Sequence, residues 1–160
     1  MIAKPKYGFS KWDFPNVSLG ISYIQDFPEE ILKLCKDFLI TNECQQLEIN
    51  DETKCYILYL GYPVYVNVDG DIIKVYDDAL EFIKEIVNDI EKNINEWADF
   101  CNFNDSKEYF EKTKAFLVEE INSIKNLISN WHSFYNMTNL NYEKEVNKND
   151  RCLLLSISIL

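Results

Sequence analysis

The sequence predicts an α+β fold: an antiparallel sheet of about five to six strands packed against one short helix and a long antiparallel two-helix hairpin. Three observations predict it. Apolar residues alternate with a period of two in several segments and recur at spacings of three and four in three others. An Asp69-Gly70 pair also sits between two β-branched runs. With 160 residues, 47% of them apolar and 14% aromatic, residues 1–160 are expected to form a single domain with its own core.

The first 16 residues read as a basic, aromatic N-terminal arm. Lys4, Lys6 and Lys11 are interleaved with Tyr7, Phe9, Trp12 and Phe14, with neither helical nor strand period. Such an arm either folds back on its own chain or offers a contact surface to a second one. Next, Val17, Leu19, Ile21 and Tyr23 alternate with Ser18, Gly20 and Ser22, the period of a half-buried strand. The period then changes. Ile31, Leu34, Cys35, Phe38 and Leu39 mark an amphipathic helix, with Asp26 and Glu29 as a capping pair and Pro28 tolerated in the first turn.

A short strand is expected around Gln46–Ile49, and a stronger one at Cys55–Leu60, apolar on both faces and therefore central. Tyr65 to Asp78 holds four aspartates and one asparagine. Read as a hairpin with Asp69-Gly70 in a two-residue type I′ turn, it pairs Val66 with Ile73, Val64 with Val75, Asn67 with Ile72 and Tyr65 with Lys74. A calcium loop would put Ile72 where a sharp turn needs glycine and Asp78 where a bidentate Glu belongs, so the hairpin reading prevails.

Residues 77–135 are expected to be the helical hairpin. Leu80, Ile83, Val87, Ile90, Ile94, Trp97 and Cys101 form one apolar seam from Asp78, whose capping partner is Glu81. A second seam, Phe110, Leu117, Ile121, Ile124, Ile128, Trp131 and Tyr135, follows an Asp105/Glu108 cap. The short connection Asn102–Asn104 forces the two helices antiparallel. After a polar loop, residues 152–160 put Leu153, Leu155, Ile157 and Ile159 on one face and Ser156 and Ser158 on the other, and read as a C-terminal strand.

Composition excludes several functions. Twenty-seven acidic side chains against sixteen basic ones give a net charge of -11, which argues against direct contact with nucleic acid or an anionic membrane. No apolar run follows the N-terminal lysines as a secretory signal would require, and none is long enough to span a bilayer. Cys35, Cys44, Cys55, Cys101 and Cys152 form no C-x-x-C pair, which suits reduced thiols and a cytoplasmic location. No cofactor or metal is expected. His132, the single histidine, sits near a helix end beside Trp131, and no nucleophile elbow, zinc-binding helix or phosphate-cradling glycine loop is present. Trp97, Trp131, Phe134 and Tyr135 read as core packing at the base of the hairpin.

The charge is unevenly spread. Residues 1–25 carry three lysines against one aspartate, whereas residues 69–99 carry ten acids against three lysines. Asp78, Glu81, Glu85, Asp89, Glu96 and Asp99 fall on one ridge opposite the apolar seam, provided that Asp78 through Cys101 form one uninterrupted helix. With Asp69 and Asp71 of the hairpin, this ridge is the expected partner-binding surface, one that mimics a phosphate row to a basic protein. In general character the chain resembles bacterial inhibitor or immunity proteins that neutralise basic nuclease toxins, and its wealth of Ile, Asn, Lys and Tyr fits an AT-rich bacterial or phage genome. That resemblance implies a non-catalytic acidic binding protein. Two other classes remain open: a small enzyme using carboxylate or His132 acid/base chemistry in a cleft, and a homodimer or larger assembly joined through the helical hairpin.

Overall fold

The computed structural model describes residues 1–6 and 8–135, the side chains of residues 132–135 aside. The expected strand at 152–160, the loop before it, and the roles considered for Tyr7, His132, Phe134 and Tyr135 lie outside this description. Strands β1 (Phe9–Asp13) and β2 (Ser18–Ser22) precede helix α1 (Phe27–Thr41). Strands β3 (Gln45–Asp51), β4 (Lys54–Leu60), β5 (Val64–Val68) and β6 (Asp71–Tyr76) follow, and then α2 (Ala79–Lys92), α3 (Ile94–Ala98) and α4 (Lys107–Tyr135).

The strands divide into two sheets instead of one. β1 and β2 form an antiparallel ribbon, and β3-β4-β5-β6 form an antiparallel meander in chain order. Three of the four pairs expected for the β5/β6 hairpin are present: Val66 with Ile73, Asn67 with Ile72, and Tyr65 with Lys74. The fourth slips by one, Val64 facing Tyr76, because a bulge falls between Val64 and Tyr65. Asp69 and Gly70 both have positive φ, 53° and 95°, as a type I′ turn demands. The Gly70 amide donates to Asn67 Oδ1 at 2.9 Å, so Asn67 braces the turn.

Leu58, Val66 and Ile49 point into the core together with Ile31, Leu32 and Phe38 of α1 and Phe82, Ile83 and Ile86 of α2. Burying each of these side chains contributes about 1.5–3 kcal/mol. Over these two helices lies α4, which packs chiefly along α1. Lys112 lies close enough to act on Glu29 near the start of α1, Lys36 Nζ meets Glu120 Oε1 at 2.8 Å, and Phe38 stacks on Trp131 with centroids 6.5 Å apart, so α4 runs parallel to α1. On its other flank Lys125 pairs with Glu91 of α2 at 2.6 Å.

The first arm of the expected helical hairpin is not one rod. It breaks at Asn93 (φ −120°, ψ 36°), where the side-chain amide donates back to the Asp89 carbonyl at 3.1 Å and competes with the helical ladder. The five-residue α3 then resumes at Ile94. Caps also differ from expectation. Asp78 accepts from the amides of Leu80 and Glu81, as expected, but Asp26 makes no side-chain cap bond. At the start of α4 the capping oxygen is Ser106 Oγ, which accepts from the Tyr109 amide at 3.2 Å; Asp105 itself sits at φ 49°. Among the described residues Cys35, Cys55 and Cys101 are free thiols. No described helix is long and apolar enough to cross a membrane.

Candidate functional site

The acidic face of α2 and α3 is occupied by the chain's own N-terminus. Residues 1–6 run back along β1: the Ala3 amide donates to the Lys11 carbonyl at 2.7 Å, the Asp13 amide donates to the Met1 carbonyl at 3.1 Å, and Ile2 bridges to Trp12. This ladder seats Ile2 at 3% exposure and Trp12 at 1%, with Trp12 stacked on Phe82 of α2 at 5.6 Å. Once the arm is there, its polar groups need partners, and the α2 carboxylates supply them.

Ile2 donates its backbone amide to Asp89 Oδ2 at 2.8 Å. The terminal ammonium of Met1 lies 3.2 Å from Glu85 Oε1, and the Tyr76 hydroxyl donates to the same carboxylate. Farther along, Lys4 Nζ meets Glu96 Oε1 at 2.5 Å. Burial pushes the Glu85 carboxyl up, but the Tyr76 hydroxyl and the N-terminal ammonium outweigh it and hold the group below the usual carboxylate range. Glu96 is likewise held low by Lys4. Tyr76 moves the other way: burial and the surrounding acids Glu85, Asp89 and Glu81 push its hydroxyl far up.

The eight residues that sequence marks as a binding surface therefore separate. Asp78 serves as a helix cap, Glu85, Asp89 and Glu96 hold the arm, and Asp99 accepts from the Asn102 amide at 2.8 Å. Asp69 pairs with Lys54 at 3.2 Å. Asp71 and Glu81 are exposed and make no ion pair among the described residues. Sequence reasoning missed Ile2, Lys4 and Tyr76 as the partners of this ridge. The one available signal was charge: a basic arm and an acidic ridge in the same chain.

A second site lies where the arm turns. Near the Lys6–Phe9 turn a cavity of about 390 Å³ opens between the arm, the end of β2 and the segment after α3. Tyr23, Phe100 and Phe103 form its aromatic walls, Pro5 and Gly8 its backbone side, and Lys6, Glu96, Asp99 and Asn102 its polar rim. Tyr23 and Phe103 meet edge to face, centroids 5.1 Å apart and planes at 74°, while Phe9 abuts the other side of Tyr23 at 5.6 Å. Phe103 is 68% exposed and Phe9 44%.

Two devices fix this corner. Gly8 has φ +75°, and a Cβ there would stand 2.8 Å from Tyr23 Cδ1, so only glycine lets the ring lie on the turn. The Tyr23 amide in turn donates to the Gly8 carbonyl at 2.9 Å. Cys101 Sγ lies 3.5 Å from the carbonyls of both Tyr23 and Gln25, clamping the end of β2 to the segment that carries Phe103. Burial, together with Asp26, pushes the Cys101 thiol up to about 12, so it acts as a neutral donor.

Among the described residues, no three His, Cys, Asp or Glu side chains converge as a metal site would require. No family model matches the chain, and neither a curated protein nor a solved structure does.

Proposed function

We propose that the chain is a non-catalytic acidic binding protein of the inhibitor or immunity type, acting in the cytoplasm on a basic protein partner such as a nuclease toxin. The observation that carries this reading is the exposed pair Asp71 and Glu81, carboxylates without ion-pair partners among the described residues. Asp71 opens β6, the edge strand of the described meander, and Glu81 follows in the first turn of α2; Asp69 and Asp77, whose lysine partners are themselves exposed, stand just before and just after β6. A band of this kind raises encounter rates with a basic surface and fixes its register, while exposed charges contribute little to fold stability. Glu85, Asp89 and Glu96 contribute more to holding the arm than to a partner, so they are poor probes of binding.

The test is affinity capture on the immobilised chain at low salt. A basic protein should be retained by wild type, released as NaCl is raised, and lost with Asp71→Lys/Glu81→Lys. Equal retention by the double variant removes the β6 band from the reading.

A further inference from the structure

The geometry points to the cavity at the arm turn as a receptor for one guanidinium group, the side chain of an arginine presented by a protein partner. This deepens the reading just given, because a basic partner carries such side chains. The cavity's volume, about 390 Å³, lies at the small end of the roughly 300–1,000 Å³ typical of ligand pockets. Tyr23 and Phe103 meet at 74°, so they close a right-angled corner of two π systems. A planar cation that lies on one ring finds the edge of the other beside it, and guanidinium is the side-chain cation that stacks in this way.

The rim keeps one carboxylate without a lysine partner among the described residues. Two carboxylates, Glu96 and Asp99, face one lysine, Lys6. Glu96 already has Lys4 as counter-ion at 2.5 Å, but Asp99 is exposed and its hydrogen bond goes to the neutral Asn102 amide. Asp99 is thus the carboxylate available for a bidentate pair with an incoming guanidinium. Exposure of Phe103 at 68% has no counterpart in core packing, and it fits a ring kept clear for a ligand. The corner is also built in advance, since Gly8 and Cys101 hold Tyr23 before any ligand arrives, which lowers the ordering cost of binding.

The experiment is an NMR titration of the full chain with N-acetyl-argininamide, against the uncharged isostere N-acetyl-citrullinamide. Ring resonances of Tyr23 and Phe103 should shift saturably with the arginine probe, with a Kd on the order of 1–10 mM. The citrulline probe should bind at least about tenfold more weakly, and Asp99→Asn and Phe103→Ala should each weaken the arginine probe by about three- to tenfold. Both residues are exposed, so either variant should keep the wild-type amide spectrum elsewhere. No saturable shift, equal binding of the two probes, or shifts confined to the β6 edge would overturn the assignment. The probe makes no demand on Asp71 or Glu81, so failure here leaves the capture experiment intact, and failure there leaves this one intact.

Discussion

Ile2 and Asp89 are joined by a 2.8 Å hydrogen bond from backbone amide to Oδ2, across 87 positions of chain. With the Met1–Glu85 ion pair, it anchors the N-terminal arm to α2. Asp89→Ala would leave a partly buried amide without an acceptor, at a cost of about 1–3 kcal/mol. Asp89→Asn keeps an oxygen in place and should recover most of that loss. Urea denaturation of the two variants distinguishes them, and an Asp89→Ala protein as stable as wild type would mean that water replaces the bond at no cost.

The turn glycines offer an internal control. Gly8 and Gly70 both sit at positive φ, +75° and +95°, so alanine at either position incurs about 1–2 kcal/mol of left-handed strain. Only at Gly8 does the new Cβ also meet a ring, Tyr23, whereas nothing lies within 4 Å at Gly70. Gly8→Ala should therefore destabilise more than Gly70→Ala by about 1 kcal/mol or more, and should move the Tyr23 ring resonances. Equal losses would show that the Tyr23 contact relaxes freely.

What the sequence made legible follows from how local each signal is. Asp69-Gly70 dictates its own turn, so the register of three neighbouring pairs came with it, and the bulge at Val64 did not because no residue there announces one. The break at Asn93 was hidden: Ile90, Ile94 and Trp97 keep spacings of four and three straight across it, so the apolar seam is continuous although the helix is not. The split of the strands into two sheets turns on β1, whose Phe9, Lys11 and Asp13 are exposed while Trp12 is buried; an arm of mixed chemistry gives no clean alternation. The candidate site suffered most. An acidic ridge looks the same in sequence whether it meets a stranger or the chain's own terminus, and contacts between residues 1–6 and α2 are among the longest-range in the fold.

The pH dependence of stability should separate two kinds of acid. Glu85 is held below the ordinary glutamate value of 4.5, so its contribution is complete above 4.5 and is lost as pH falls through the lower folded value. Glu29 runs opposite: burial, then Asp26 and Glu30, raise its carboxyl above 4.5, so its ionisation works against the fold at neutral pH and that penalty is relieved as pH falls through the raised value. Glu85→Gln should cost about 1 kcal/mol at pH 7, discounted for its partial exposure, and should flatten the acid limb below pH 4.5. Glu29→Gln should raise the midpoint slightly at pH 7 and bring no benefit in acid. Denaturation midpoints for both variants across pH 3–7 check the signs.

Lys4 reports whether a basic partner also approaches the acids that hold the arm. Its bond to Glu96 is an exposed ion pair, side chains 60% and 34% accessible, and such pairs contribute about 0.2–1 kcal/mol. Lys4→Ala should therefore shift the urea midpoint very little, since Ile2, Trp12 and the Asp89 bond still seat the arm. It removes one positive charge and frees Glu96, so the surface beside the arm becomes more negative. If a basic partner approaches that surface, Lys4→Ala should speed its association by about two- to threefold at low ionic strength, and the gain should vanish once the Debye length falls to about 3 Å at 1 M salt. Stopped-flow association of the captured partner at the two ionic strengths reads this directly. An unchanged rate at low salt would place the partner on the β6 edge alone, away from the arm.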